Sequence, residues 1–191
     1  MTEKESISQI NIVVLGDSKA GKTSLLITYR DGKFPRDYIP IMFDGVELDK
    51  TYREKEYHVV IKDSSGFEDY ECLRKILYMN ANFFVICYSI DKPDSLKRVE
   101  STWVPEIQHQ NSNAPIILVG TKKDLRKKKN RQETIEEEEG YDVARRIKCR
   151  FYIETSALHK EGITELFNGI FEMFRAQEKP KKNKKEKCII C

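Results

Sequence analysis

The chain has 191 residues, 39% apolar and 34% charged, which suits one well-buried domain and is short for two. No apolar stretch approaches the roughly 20 residues that span a bilayer, and Met1 to Gln9 is polar with mixed charge, so no signal peptide is expected. Net charge is +3, but six lysines and one glutamate between Lys179 and Lys187 contribute +5 and leave a weakly acidic body, which argues against a nucleic-acid-binding face.

From the N-terminus, residues 10–15 (Ile-Asn-Ile-Val-Val-Leu) read as a buried strand. They lead into Gly16-Asp17-Ser18-Lys19-Ala20-Gly21-Lys22-Thr23, which fits G-x-x-x-x-G-K-[ST], and then into helix-forming residues from Ser24 to Tyr29. Glycine permits the sharp turn that aims successive N–H groups and a helix N-terminus at phosphates. Lys22 then supplies charge and Thr23 a hydroxyl for Mg²⁺. Asp17 to Ser24 are therefore the candidate phosphate-binding residues of a nucleotide site, and the loop by itself does not separate ATP from GTP.

Further short apolar runs at residues 59–61, 83–88, 116–119 and 151–153 are separated by helix-like segments. That is the pattern of parallel strands buried on both faces, and it predicts an α/β doubly wound sheet. Residues 43–52 alternate in part and are expected to pair antiparallel with the strand around residues 57–62, at one edge. Helices are expected near residues 21–29, 95–110, 137–147 and 162–175. In the last, Ile163, Leu166, Phe167, Ile170, Phe171 and Phe174 form a core stripe. Pro105 predicts a break in the second and a restart with proline in the first turn. Residues 126–139 are basic and then acidic, a solvated excursion whose glutamates open the following helix. The five cysteines, Cys72, Cys87, Cys149, Cys188 and Cys191, lack metal-ligand spacing and fit a reduced cytosolic protein. His58, His109 and His159 share no motif with a nucleophile, and Trp103 reads as a core or helix-surface residue.

In open sheets of this kind ligands sit at the carboxyl ends of the strands, and the remaining motifs follow strands. Asp63-Ser64-Ser65-Gly66 can hold Mg²⁺ through water at Asp63 and bring the Gly66 N–H to a terminal phosphate. In Thr121-Lys122-Lys123-Asp124 the last carboxylate can accept from guanine N1–H and the exocyclic amine, a donor pair adenine lacks. Glu154-Thr155-Ser156-Ala157 can present N–H groups to the guanine oxygen.

These motifs, over roughly residues 10–174, resemble a Ras-superfamily small GTPase and within it the Rho branch. Phe34-Pro35-Arg36-Asp37-Tyr38-Ile39-Pro40 is similar to the first Rho switch, Glu68-Asp69-Tyr70 to the second, and Trp103-Val104-Pro105-Glu106-Ile107 to a further Rho segment. The resemblance implies the P-loop small-G-protein fold: a mostly parallel six-stranded sheet with one antiparallel edge strand and helices on both faces. It implies residues 1–9 as an N-terminal extension, 10–176 as the domain and 177–191 as a flexible tail. It also implies GTP or GDP with Mg²⁺ as ligands, Phe34 edge-on to the base, Tyr38 over the phosphates, and Leu125 and Leu158 beside the base. Residues 126–139 fall where Rho proteins carry an insert and are several residues shorter. Lys62 replaces an aromatic that helps Rho relatives choose an exchange factor.

Against the same family, the nucleotide-holding positions match and the hydrolytic ones do not. Ser18 stands where most members have glycine, Ser65 where they have alanine, and Phe67 where they have the water-orienting glutamine. This combination resembles the Rnd subgroup, which stays GTP-loaded. Ile41 stands at the threonine whose hydroxyl binds Mg²⁺, so weaker metal coupling and a partly ordered first switch are expected. Hydrolysis is expected to be very slow; the alternative is a cycling GTPase slower than its relatives.

The tail ends Cys188-Ile189-Ile190-Cys191, a C-a-a-X pattern with Cys188 as the prenylated sulfur and no choice between farnesyl and geranylgeranyl. One lipid chain with neighbouring lysines specifies an anionic membrane surface. The expected location is the cytoplasmic face of the plasma membrane with a cytosolic pool. The resemblance implies a monomer with effectors, an exchange factor and a dissociation inhibitor as partners, no nucleic acid, and a link to the actin cytoskeleton.

Overall fold

A computed structural model of the protein describes residues 7–36, 44–64, 71–111, 113–127 and 134–178. Its strands are β1 Ser8–Leu15, β2 Val46–Tyr52, β3 Lys55–Asp63, β4 Phe83–Ser89, β5 Ile116–Thr121 and β6 Phe151–Glu154. They form one six-stranded sheet in the order β2-β3-β1-β4-β5-β6. Only β2, at the edge, runs antiparallel to its neighbour, with Val46 opposite Ile61 and Asp49 opposite His58. β1 begins at Ser8 because Ser8 and Gln9 already pair with Tyr57 and His58 of β3.

The helices are α1 Lys22–Asp31, α2 Glu71–Tyr78, α3 Pro93–Arg98, α4 Val104–Gln110, α5 Glu137–Arg146 and α6 Ile163–Glu178. Alternation along the buried strands sorts two cores. Ile10, Ile12 and Val14 face Leu25 and Leu26 of α1 and the stripe Ile163, Leu166, Phe167, Ile170 and Phe171 of α6, with Phe174 partly covered. Val13, Leu15, Phe84, Ile86 and Tyr88 face the other way, onto Tyr78, Leu96, Trp103, Val104, Ile107 and Val143. Helices therefore cover both faces, as the sequence pattern predicts.

Pro105 shows only part of the expected effect: it sits in a first helical turn, but the helical run from Pro93 to Gln110 continues without the expected break. A π-helical turn, Val99–Trp103, joins α3 to α4, and the proline sits in the first turn of α4. The wide turn leaves room where the proline ring would otherwise clash with the preceding turn. At α5 the acidic run works as a capping box: Glu136 N–H donates to the Glu139 carboxylate at 3.0 Å. The sequence pattern does not mark α2, because the helix buries Arg74 and leaves Ile76 exposed.

Candidate nucleotide-binding site

The loop after β1 is shaped by backbone that only glycine tolerates. Gly16 has φ 132°, and a Cβ there would meet the Cys87 carbonyl oxygen at 2.1 Å. Gly21, at φ 84°, turns the chain into α1. Within this loop the Lys22 ammonium is buried and donates to the carbonyl oxygens of Gly16 and Asp17, both at 2.8 Å. Burial holds its pKa below the ordinary lysine value despite the nearby Asp63. Ser18 and Lys19 sit at the turn, Lys19 with φ 63°, and Ser18 is half-buried.

β3 ends beside the same loop. Ser64 ties that end to β1, its N–H and hydroxyl donating to the Val14 carbonyl at 3.0 and 2.8 Å. This sets Asp63 against α1, where the Thr23 hydroxyl donates to Asp63 Oδ2 at 2.6 Å. The other oxygen, Oδ1, is buried and has no hydrogen-bond partner among the described residues. Burial pushes the Asp63 carboxyl up to about 6, and the Thr23 hydrogen bond and the Lys22 charge only partly oppose this. A hard cation resolves both features. It would give the orphaned oxygen a partner, directly or through water, and would stabilise the ionised form, so the residues present fit Mg²⁺.

The loops after β5 and β6 are joined to each other and to the first loop. Thr121 donates to the carbonyls of Ala20 at 2.6 Å and Tyr88 at 2.9 Å, which bonds the phosphate loop to β4 and β5. Lys122 takes φ 62°, and its ammonium lies 3.4 Å from Asp91. The chain then forms a 3-10 turn, Lys123–Lys127, that carries half-buried Asp124 and Leu125. Asp124 accepts from the Ser156 hydroxyl at 2.7 Å, and the same oxygen of Ser156 accepts from His159 N–H at 3.1 Å. Lys123 N–H donates to the Thr155 carbonyl at 2.9 Å. Ala157 and Leu158 are half-buried beside this contact, and Phe34 is half-buried in the segment after α1.

The structure thus brings Asp17 to Ser24, Asp63, Thr121, Lys122, Asp124, Leu125, Ser156, Ala157 and Leu158 to the loops at the carboxyl ends of β1, β3, β5 and β6. Tyr38, Ile41, Ser65, Gly66, Phe67 and Cys188 lie outside the described residues.

One connection was not read from the sequence. The Trp103 indole N–H donates to Asp17 Oδ1 at 2.9 Å, and the Arg98 guanidinium lies 3.1 Å from the same oxygen. Arg74 of α2 lies over the Trp103 ring at 5.2 Å and makes two hydrogen bonds to Glu106, at 2.9 and 3.0 Å. Tyr78 donates to Glu106 at 2.6 Å. The available signal was Trp103 itself, since a buried indole N–H needs an acceptor and Asp17 is the loop's one carboxylate.

Residues 11–176 match the profile of the Ras family. The match covers most of the chain and coincides with the P-loop sheet, and Ras-family GTPases bind guanine nucleotides, generally with Mg²⁺. This chain belongs to the Ras family of small GTPases.

Proposed function

We propose that the protein is a Rho-branch member that holds GTP, hydrolyses it very slowly, and signals from a membrane surface through its GTP-bound form. The observation that carries this reading is the split within one site. The residues that can hold a guanine nucleotide are present: Asp17 to Ser24, Thr121, Lys122, Asp124, Leu125 and Ser156 to Leu158. Those that would direct a water are replaced: Ser18 at the third place of the loop and Phe67 in the segment after β3. Thr23 and Asp63 would hold Mg²⁺, Asp63 through water, and the ion would supply charge neutralisation at the phosphates.

The physical case is electrostatic. Phosphoryl transfer depends on positioning and charge stabilisation, and removing a single positioned group costs on the order of 10²–10³-fold in rate. Phenylalanine can neither donate to nor accept from a water. A serine at Ser18 crowds the space used by the attacking water and by an activator's arginine. Ile41 keeps a backbone N–H for the terminal phosphate and lacks a metal-binding hydroxyl, which weakens Mg²⁺ coupling.

Prenylation at Cys188 and the six lysines between Lys179 and Lys187 support anchoring at the cytoplasmic face of the plasma membrane. Effectors linked to the actin cytoskeleton follow from the Rho resemblance. The test is to identify the nucleotide carried by freshly purified protein and follow single-turnover hydrolysis with and without Mg²⁺. Retained GTP with negligible turnover supports the proposal. Bound GDP with measurable turnover instead establishes a conventional cycling switch. Ser18→Gly with Phe67→Gln is expected to raise the hydrolysis rate, and Cys188→Ser to release the protein from membranes.

A further inference from the structure

Among the described residues, three sets of hydrogen bonds fasten the loop after β5 to the end of β6 and the loop that follows it, and one of them involves Asp124. Asp124 takes the Ser156 hydroxyl, Lys123 N–H takes the Thr155 carbonyl, and Arg126 grips Glu154 with two hydrogen bonds, Nε to Oε2 at 2.8 Å and Nη2 to Oε1. The rungs run 124 to 156, 123 to 155 and 126 to 154, so Arg126 and Glu154 flank the contact that fixes Asp124. The Glu154 side chain is fully buried and Arg126 is 21% exposed.

Behind Glu154 stands a second support. Tyr152 donates to Glu154 Oε1 at 3.2 Å, and the Tyr152 and Tyr88 hydroxyls are 2.8 Å apart. Two glycines leave room for this pair. A Cβ at Gly140 would come within 2.5 Å of both hydroxyl oxygens, and one at Gly120 would lie 2.9 Å from the Tyr88 hydroxyl. A buried charged side chain with this many fixed partners has one orientation available to it. That orientation is transmitted two residues along each loop, to Asp124 and to Ser156.

We infer that Arg126 and Glu154, braced by the Tyr152–Tyr88 hydroxyl pair, are positioning residues that set how well the site discriminates between purine bases. This rests on the reading of Asp124 as the acceptor for the guanine donor pair. The Tyr88 hydroxyl is a strut for the base-reading loops, and the two loops act as one unit. A carboxylate that must meet N1–H and an exocyclic amine together tolerates little displacement, because the second bond is lost first.

The test compares the affinities of full-length protein for GDP, IDP and ADP. IDP lacks the exocyclic amine, and ADP offers the phosphates and ribose without the guanine pattern. Arg126→Met with Glu154→Leu replaces the buried ion pair by apolar side chains, a change that often leaves stability near neutral. The expected result is a loss of about tenfold in the GDP-to-IDP preference, with ADP affinity unchanged. Arg126→Lys is expected to restore part of the preference, and Tyr88→Phe, which removes only the hydroxyl, to shift it in the same sense by a smaller factor. Parallel weakening of all three nucleotides, or an unaltered GDP-to-IDP ratio, overturns the inference and leaves these residues a structural role. Asp124→Ala separates this failure from failure of the underlying reading. If that variant keeps the GDP-to-IDP preference, Asp124 is not the base reader; if it loses the preference while the Arg126 and Tyr88 variants keep it, only the positioning role falls.

Discussion

The proposed base side and the proposed phosphate side of the site are held by different kinds of contact. On the base side, hydrogen bonds join the two loops directly: Asp124 to Ser156, Lys123 to Thr155, and Arg126 to Glu154. On the phosphate side, Asp17 and Asp63 do reach other elements, at Trp103 and Thr23, but Lys22 and the second Asp63 oxygen make no such cross-link among the described residues. Lys22 donates to the carbonyls of its own loop, and Asp63 keeps one oxygen buried without a partner among the described residues. A preorganised base side should dictate which nucleotide binds. A phosphate side whose groups must change partners should dictate how tightly any nucleotide binds.

Two substitutions test that division with the largest expected effects. If Asp124 reads the base as proposed, Asp124→Ala should lower the preference for GDP over ADP by on the order of 10⁴-fold, because a paired set of hydrogen bonds is lost. Lys22→Ala should weaken GDP and ADP by the same factor, about 10–100-fold, because it removes a charge both share. Affinities measured in parallel decide the matter. A Lys22 variant that changed the base preference would break the comparison.

The largest expected effect on stability, rather than on affinity, concerns the link from the phosphate loop to α2. Arg74 and Glu106 are buried, at 4% and 9% side-chain exposure, and Tyr78 shares the carboxylate. Arg74→Ala leaves a buried carboxylate with a single tyrosine hydroxyl among the described residues and should cost about 3–5 kcal/mol. Arg74→Met with Glu106→Leu and Tyr78→Phe should recover most of this, because no buried charge is then unpaired. Urea unfolding at fixed nucleotide concentration reads both, since bound ligand adds to apparent stability.

The sequence made the phosphate loop, the positions of the strands and the positions of the proposed base-reading motifs legible, for a common reason: each is local. Glycine spacing, a run of β-branched residues and a motif following a strand all sit within a few positions of one another. The contacts it left hidden span long separations, such as Asp17 with Trp103 or Arg126 with Glu154. Nothing in the spacing of Trp103 reports its partner. Only the rule that a buried indole N–H requires an acceptor narrows the choice. α2 was hidden for the opposite reason, as its isoleucine, Ile76, is 65% exposed while a charged residue, Arg74, is buried beside Tyr78.

A smaller effect is expected at Trp103. Trp103→Phe keeps the aromatic face under Arg74 and removes the N–H that Asp17 accepts, while Arg98 stays 3.1 Å from the same carboxylate. The loss should be about 1 kcal/mol in stability, with nucleotide affinity lowered equally for GDP and ADP, since the contact belongs to the phosphate side. Trp103 is also the chain's single tryptophan, so fluorescence of the unsubstituted protein should respond to events at the phosphate loop. A signal that tracks Mg²⁺ removal as well as nucleotide release would sharpen the assignment of metal coupling to that half.

The smallest expected effect lies on the exposed edge of the sheet, away from both halves. His58 of β3 bonds Asp49 at 2.8 Å and Glu47 at 3.1 Å on β2, and Gln9 of β1 is its neighbour in register. The Asp49 hydrogen bond raises its pKa above the ordinary 6.5 and outweighs the desolvation cost, with a further contribution from Glu47. The folded state therefore holds the proton more tightly than the unfolded chain. The stabilisation is fully present below pH 6.5, the unfolded value, and is lost as pH rises through the raised folded value. His58→Gln should flatten this slope when urea midpoints are compared from about pH 5.5 to about pH 8.5, with a small amplitude because the pair is exposed to water. Base preference should not move in the variant at any pH, because the antiparallel hairpin joins the sheet at the end farthest from β5 and β6. A change in GDP affinity confined to Mg²⁺-containing buffer would instead show that the hairpin, through β3, helps set Asp63 on the phosphate side.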